Sequence, residues 1–179
     1  DESTQLESIG MVTLQDGSSY QPRIVQMEDE IASITAAAGA ALAGARTSTS
    51  TSGPGFSLMN EGLGWTGMTE VPLFISNYLR GGPSTGMPTR TDQGDLLLTI
   101  QAGHGEFPRI VIASVDVEEA FYDSMQAFNY AERYRIPVIH LLDKHLTSST
   151  KAVRPFDRKL IAIEHSQLVD SRQLTGRAA

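Results

Sequence analysis

Cysteine is absent from all 179 positions. That excludes disulfides, thiolate zinc sites, a cysteine nucleophile and any iron–sulfur cluster ligated by these residues. No apolar run approaches the roughly 18–20 residues that a membrane helix requires, and Asp1-Glu2-Ser3 opens no basic, apolar signal sequence. Basic residues are outnumbered as well: 14 Lys+Arg stand against 21 Asp+Glu, for a net charge of −7. With no Lys/Arg cluster, a general nucleic-acid binder is excluded, because neutralising phosphates takes a basic surface. These absences fit a cytoplasmic protein that engages neither nucleic acid nor membrane. Asp1 in place of an initiator Met leads us to expect a processed or excerpted chain.

What is present suffices for one core: 40 % of the residues are hydrophobic, in a chain of about one domain's length. Residues 1–22 are polar and turn-rich, with Asp16-Gly17-Ser18-Ser19 the clearest loop signal. A short strand is expected at Arg23–Met27. Met27, Ile31, Ile34, Ala38 and Leu42 then mark an amphipathic helix, with Glu28, Asp29 and Glu30 in its first turn, where acids suit the positive end of the dipole. Its later half is rich in alanine and glycine up to Gly44, which predicts a buried helix. Further on we predict strands at Arg46–Thr51, Val71–Leu79, Arg109–Ala113 and Pro137–Leu142, with helices over Phe56–Thr66, Gln93–Gln101 and Val117–Arg133. Arg158–Glu164 is a last strand candidate. Strands separated by helices imply an α/β fold, a mostly parallel sheet flanked by helices.

Ligands of such sheets sit on the loops leaving the carboxyl ends of the strands. Three segments meet that condition. Ser52-Gly53-Pro54-Gly55-Phe56 is a glycine turn between strand and helix whose backbone N–H groups suit an anion or a ring; its alternative is a plain tight turn. Residues 80–91 form a long Gly/Pro loop opened by Arg80, a guanidinium suited to a planar carboxylate, or else to a local partner such as Asp92 or Asp95. Glu30 flanks the apolar stripe, a placement suited to proton exchange with a bound heterocycle, unless it is simply a third first-turn acid. His140, Asp143 and His145 imitate metal-ligand spacing, but positions 140 and 145 fall on opposite faces of a strand. His104-Gly105-Glu106 reads as a loop. No metal site and no Ser-His-Asp triad is predicted.

Taken together, Met27-Glu28-Asp29-Glu30-Ile31-Ala32-Ser33-Ile34, Gly44-Ala45-Arg46, Thr51-Ser52-Gly53-Pro54-Gly55-Phe56-Ser57-Leu58-Met59 and Arg80-Gly81-Gly82-Pro83-Ser84-Thr85-Gly86 closely resemble one family. It is the alpha-type subunit of the thiamine-diphosphate-dependent 2-oxoacid:ferredoxin oxidoreductases, which includes the pyruvate and 2-oxoglutarate enzymes. The resemblance spans Asp1 to about Asp157 and implies the pyrimidine-binding domain of a thiamine-diphosphate fold, with residues 158–179 a linker or the start of another domain. It implies that Glu30 hydrogen-bonds the ring nitrogen of the aminopyrimidine and that Arg80 holds the 2-oxoacid carboxylate. Ser52, Gly53 and Phe56 are implied to line the cofactor. The implied reaction is oxidative decarboxylation of a 2-oxoacid with coenzyme A to acyl-CoA and CO2, reducing ferredoxin.

Departures from the family's pattern matter too. Its Tyr-Pro-Ile-Thr-Pro motif, usually followed shortly by Asp-Glu, is absent from a chain that begins Asp1-Glu2. Gly94-Asp95 is followed by Leu96, so the Gly-Asp-Gly signature of the diphosphate and Mg²⁺ site is absent as well. The resemblance therefore implies a beta-type partner subunit holding the diphosphate, Mg²⁺ and a [4Fe-4S] cluster, with an active site shared across the interface. The alternatives are a subunit of another thiamine-diphosphate enzyme, transketolase-like or 2-oxoacid dehydrogenase, or a non-catalytic interface module.

Overall fold

The computed structural model describes residues 24–166 and the backbone of two short strands, β1 (Val12–Thr13) and β2 (Ser19–Tyr20), which pair antiparallel. The rest of the leading segment, most of the loop expected at 16–19, and residues 167–179 lie outside the described residues. From Glu30 onward helices and strands alternate. Helix α1 (Glu30–Leu42) precedes β3 (Ser48–Ser52), the short α2 (Gly55–Leu58), α3 (Asn60–Thr69) and β4 (Leu73–Leu79). There follow α4 (Leu96–Gln101), β5 (Ile110–Ala113), α5 (Val117–Tyr134), β6 (Pro137–Asp143) and α6 (Lys144–Ser148), then a 3-10 turn at Arg158–Leu160.

The four strands β3 to β6 are all parallel, in the spatial order β3-β4-β6-β5. The chain steps from β3 to β4, passes over the place of β6 to reach β5, and turns back. Right-handed crossovers put helices on opposite faces when the direction reverses. The core divides accordingly: Leu73, Ile75, Leu79, Ile139 and Leu141 pack with Ile34, Phe56, Met59 and Leu63 of the first helices, while Phe74 and Val138 pack with Ala127 and Ala131 of α5. Strands β4 and β6, covered on both sides, are near-continuous apolar runs; the Ser/Thr strand β3 lies at an edge and fully buries only Thr51. Each fully buried aliphatic side chain stabilises the fold by about 1.5–3 kcal/mol.

Several boundaries differ from expectation, for physical reasons. No strand forms over residues 24–27, where Ile24 and Val25 are exposed and no neighbouring strand lies alongside. Helix α1 buries its alanines, Ala37, Ala38 and Ala41, beside Ile34, leaving Ile31 and Leu42 more than half exposed. Small side chains let the helix lie close to the sheet, so the small face, not the bulky one, is the packing face. The helix expected over 56–66 is broken at Met59 into α2 and α3. The candidate strand 158–164 is instead a 3-10 turn followed by an extended segment docked on α5: Asn129 Nδ2 donates to the Ala162 carbonyl at 2.7 Å, and Asn129 Oδ1 accepts from Glu164 N at 3.1 Å. Side chains of Asn129 and Arg46 thus bond the backbone that a strand would have paired in a ladder.

Helix α6 is an element that periodicity does not predict. Asp143 supplies its cap, accepting from Leu146 N at 2.7 Å on Oδ1 and from Gln93 Nε2 at 2.7 Å on Oδ2. These bonds, the Leu146 N–H foremost, hold the Asp143 carboxyl below the usual carboxylate range. A depressed folded-state pKa stabilises the fold fully above the unfolded value, about 3.9, and that contribution is lost as pH falls through the folded value. Asp143→Ala is expected to cost about 1 kcal/mol at pH 7 by urea unfolding, with the difference from the parent shrinking below about pH 4. A pH-independent difference would show that the carboxylate charge is immaterial.

Candidate functional site

The carboxyl ends of β3, β4 and β6 lie side by side, with Ser52 in register with Tyr78 and Tyr78 with Leu142. Immediately past β3 the chain makes the Gly53-Pro54-Gly55 turn. Glu30 approaches it from α1, whose start is set by Asp29: the Asp29 side chain accepts from Ala32 N at 2.7 Å and makes Glu30 the first helical residue. Thr51 Oγ1 donates to Glu30 Oε1 at 3.3 Å. A Cβ on Gly55 would stand 2.1 Å from Thr51 Oγ1 and 2.2 Å from Glu30 Oε1, so only glycine leaves that carboxylate in place.

Arg80 presses on the other end of the same turn. A Cβ on Gly53, which has φ +62, would stand 2.3 Å from Arg80 Nε. Arg80 Nη1 donates to Ser52 Oγ at 3.2 Å and Nη2 to the Thr85 carbonyl at 3.5 Å, while Nε is buried without a partner. Among the described residues Arg80 forms no ion pair with Asp92 or Asp95. Burial, with Asp92's charge second, raises the Asp95 carboxyl above its ordinary value, as befits an acid with no cation beside it. The guanidinium instead lines an open cleft of about 560 Å³ with Ser52, Tyr78, Leu142 and Lys144, walled by Val117 and Ala120 of α5.

The structure thus brings Glu30, Ser52, Gly53 and Arg80 to one turn. Phe56 is 1 % exposed and its side chain belongs to the core, so only its backbone can face a ligand. Thr51 and Lys144 are not singled out by sequence reasoning, although each stands at the carboxyl end of a parallel strand, which is the available signal. His140 is fully buried, its Nε2 2.6 Å from Ser114 Oγ, which donates to Asp123 Oδ2 at 2.7 Å. The serine lies between acid and imidazole, an order that leaves no activated hydroxyl. Burial lowers the His140 pKa, opposed by Asp123. Among the described residues no three His, Asp or Glu side chains converge as metal ligands, and no helix is long and apolar enough to cross a membrane.

A half-buried carboxylate held at a helix start beside a side-chain-free turn, at the carboxyl edge of a parallel sheet, defines a small-molecule-binding α/β domain. The family described as pyruvate flavodoxin/ferredoxin oxidoreductase, thiamine diphosphate-binding, matches residues 3–175, and the chain belongs to it. Similar proteins include 2-oxoacid:ferredoxin oxidoreductase 1, subunit alpha, of Aeropyrum pernix, 53 % identical over 93 % of this chain and 26 % of that one. The 2-oxoacid:ferredoxin oxidoreductase subunit alpha of Saccharolobus solfataricus is 52 % identical over 94 % of this chain and 28 % of its own length. Among solved structures, 2-oxoglutarate:ferredoxin oxidoreductase from Magnetococcus marinus, with 2-oxoglutarate, coenzyme A and succinyl-CoA bound, superposes with a TM-score of 0.81. It shares 43 % identity and covers 84 % of this chain and 26 % of that one. The chain spans about a quarter of the length of these relatives.

The site's chemistry fits the aminopyrimidine of thiamine diphosphate. Among the described residues the Glu30 carboxylate has one hydrogen-bond partner, Thr51 at Oε1, leaving Oε2 for a ring N–H, and Gly55 places no side chain against it. Gly55→Ala is expected to displace the carboxylate, weakening thiamine-diphosphate binding about tenfold or more with a stability loss of about 1–3 kcal/mol. Cofactor titration beside thermal unfolding separates the two effects; unchanged titration would show that the turn does not position Glu30.

Proposed function

We propose that this chain is the pyrimidine-side portion of the alpha subunit of a 2-oxoacid:ferredoxin oxidoreductase. The complete complex decarboxylates a 2-oxoacid oxidatively with coenzyme A to acyl-CoA and CO2, and reduces ferredoxin. The observation that carries the reading is the Gly53–Gly55 turn, which has the Glu30 carboxylate against one end and the Arg80 guanidinium against the other. Thiamine diphosphate, when bound, supplies the electron sink for decarboxylation.

The chain's own residues bind and orient. Glu30 shares a proton with the aminopyrimidine ring nitrogen, and Thr51 fixes its carboxylate through Oε1. Arg80 grips the substrate carboxylate with its guanidinium, itself steadied by Ser52 Oγ, and so aligns the keto carbon for attack. Ser52, Gly53 and the Phe56 backbone line the cofactor. With no cysteine here, the [4Fe-4S] cluster falls to a beta-type partner subunit or another domain, which also holds the diphosphate and Mg²⁺. The same reading ends the pyrimidine domain near residue 157, leaves 158–179 as a linker or the start of another domain, and makes the complex cytoplasmic.

The test is co-expression of the full-length subunit with its partner and spectroscopic measurement of ferredoxin reduction dependent on 2-oxoacid, coenzyme A and thiamine diphosphate. Failure with every 2-oxoacid overturns the proposal. Nicotinamide reduction or ketol transfer in its place would assign another thiamine-diphosphate class.

A further inference from the structure

Arg80 and Lys144 leave adjacent strands at matching positions. Leu79 of β4 is in register with Asp143 of β6, and the next residue along each chain is the cation. Adjacent strands run about 4.8 Å apart, so the two side chains start side by side, and they line the same cleft. Placing two like charges side by side on one cleft is unfavourable unless an anion stands between them. Among the described residues no Asp or Glu lines the cleft. Asp143, the carboxylate next in sequence, has its two oxygens engaged by Leu146 N and Gln93 Nε2. Among the described residues neither cation enters an ion pair: Lys144 Nζ donates to the neutral Ser148 Oγ, and Arg80 keeps a buried Nε without a partner. Val117, Ala120, Leu142 and Leu146 supply apolar wall in the same cleft.

We propose that Lys144 is a specificity-determining residue that takes the distal carboxylate of a dicarboxylic 2-oxoacid, while Arg80 takes the carboxylate beside the keto group. The inference rests on the functional reading above and adds the substrate class to it. The planar guanidinium suits the carboxylate that must be held in one orientation for reaction. The compact ammonium on a flexible stem suits a carboxylate at the end of a flexible tail. Aliphatic wall in the cleft accommodates the methylenes of that tail. A cleft of about 560 Å³ has room for a five-carbon diacid.

The experiment uses the full-length subunit assembled with its partner and compares 2-oxoglutarate with 2-oxopentanoate, a five-carbon 2-oxoacid lacking the distal carboxylate. Lys144→Met is expected to lower the ratio of their kcat/KM values roughly 10- to 100-fold, mainly through KM for 2-oxoglutarate. Lys144→Arg, which keeps the charge, is expected to retain most of the ratio. An unmoved ratio in Lys144→Met, with both substrates weakened alike, overturns the role of Lys144 and leaves the oxidoreductase reading standing. Absence of ferredoxin reduction by the parent complex with either substrate, or with any other 2-oxoacid, overturns both.

Discussion

Glu30→Gln is expected to lower kcat of the assembled complex by about 10²- to 10⁴-fold, the range associated with losing a positioned proton-transfer group. The amide has nearly the same shape and can still accept from Thr51 Oγ1, so folding and assembly should survive. What it cannot do is take and return a proton at the ring nitrogen. Thiamine-diphosphate affinity, measured by titration of the apo complex, should fall by a much smaller factor than kcat, because one hydrogen bond to the ring can persist. Wild-type turnover in the variant would remove Glu30 from the mechanism. Equal titration curves combined with normal turnover would favour a module that only shapes an interface.

Arg80→Ala carries the second large effect. A guanidinium facing a carboxylate in a partly desolvated cleft is associated with a loss of about 2–5 kcal/mol on truncation, or about 30- to 5,000-fold in kcat/KM. The loss should appear chiefly in KM for the 2-oxoacid, with KM for coenzyme A little changed, because Arg80 lies at the cleft with Ser52 and Tyr78. Arg80→Lys should recover only part of it, since an ammonium cannot offer a planar fork. Equal rises in both Michaelis constants would make Arg80 a structural prop for the 80–91 loop, whose Thr85 carbonyl it also holds.

The two substitutions concern residues that the sequence exposes unequally. Glu30 and Arg80 are conspicuous because each begins or ends an element whose periodicity is plain: an amphipathic helix opening after Asp29, and a buried apolar strand ending at Leu79. The parallel order β3-β4-β6-β5 is another matter. Alternation of strands and helices predicts parallel pairing, but which strand lies between which depends on long-range packing of β4 and β6 that local pattern does not encode. The same limit hides Lys144. Its neighbour across the sheet is set by the Leu79–Asp143 register, and 63 residues of chain separate Arg80 from it. Thr51 is hidden differently: among the hydroxyls of Ser48–Ser52 the sequence offers no reason to prefer one, whereas the fold buries that residue against Glu30. Residues 24–27 show the converse, a β-compatible run that joins no strand among the described residues, with Ile24 and Val25 left exposed.

The Gly53–Gly55 turn works as a double clearance, free of side chains at both ends. Its first residue touches Arg80 and its third touches Glu30, with a proline between them restricting φ. Helix α1 holds Glu30 and the end of β4 holds Arg80, so the turn serves as the gap between two independently anchored groups, and a side chain at either glycine would press on one of them. The far wall of the cleft, around Leu142, Lys144 and Leu146, lies outside that clearance, so side chains there can change size while the two glycines stay as they are.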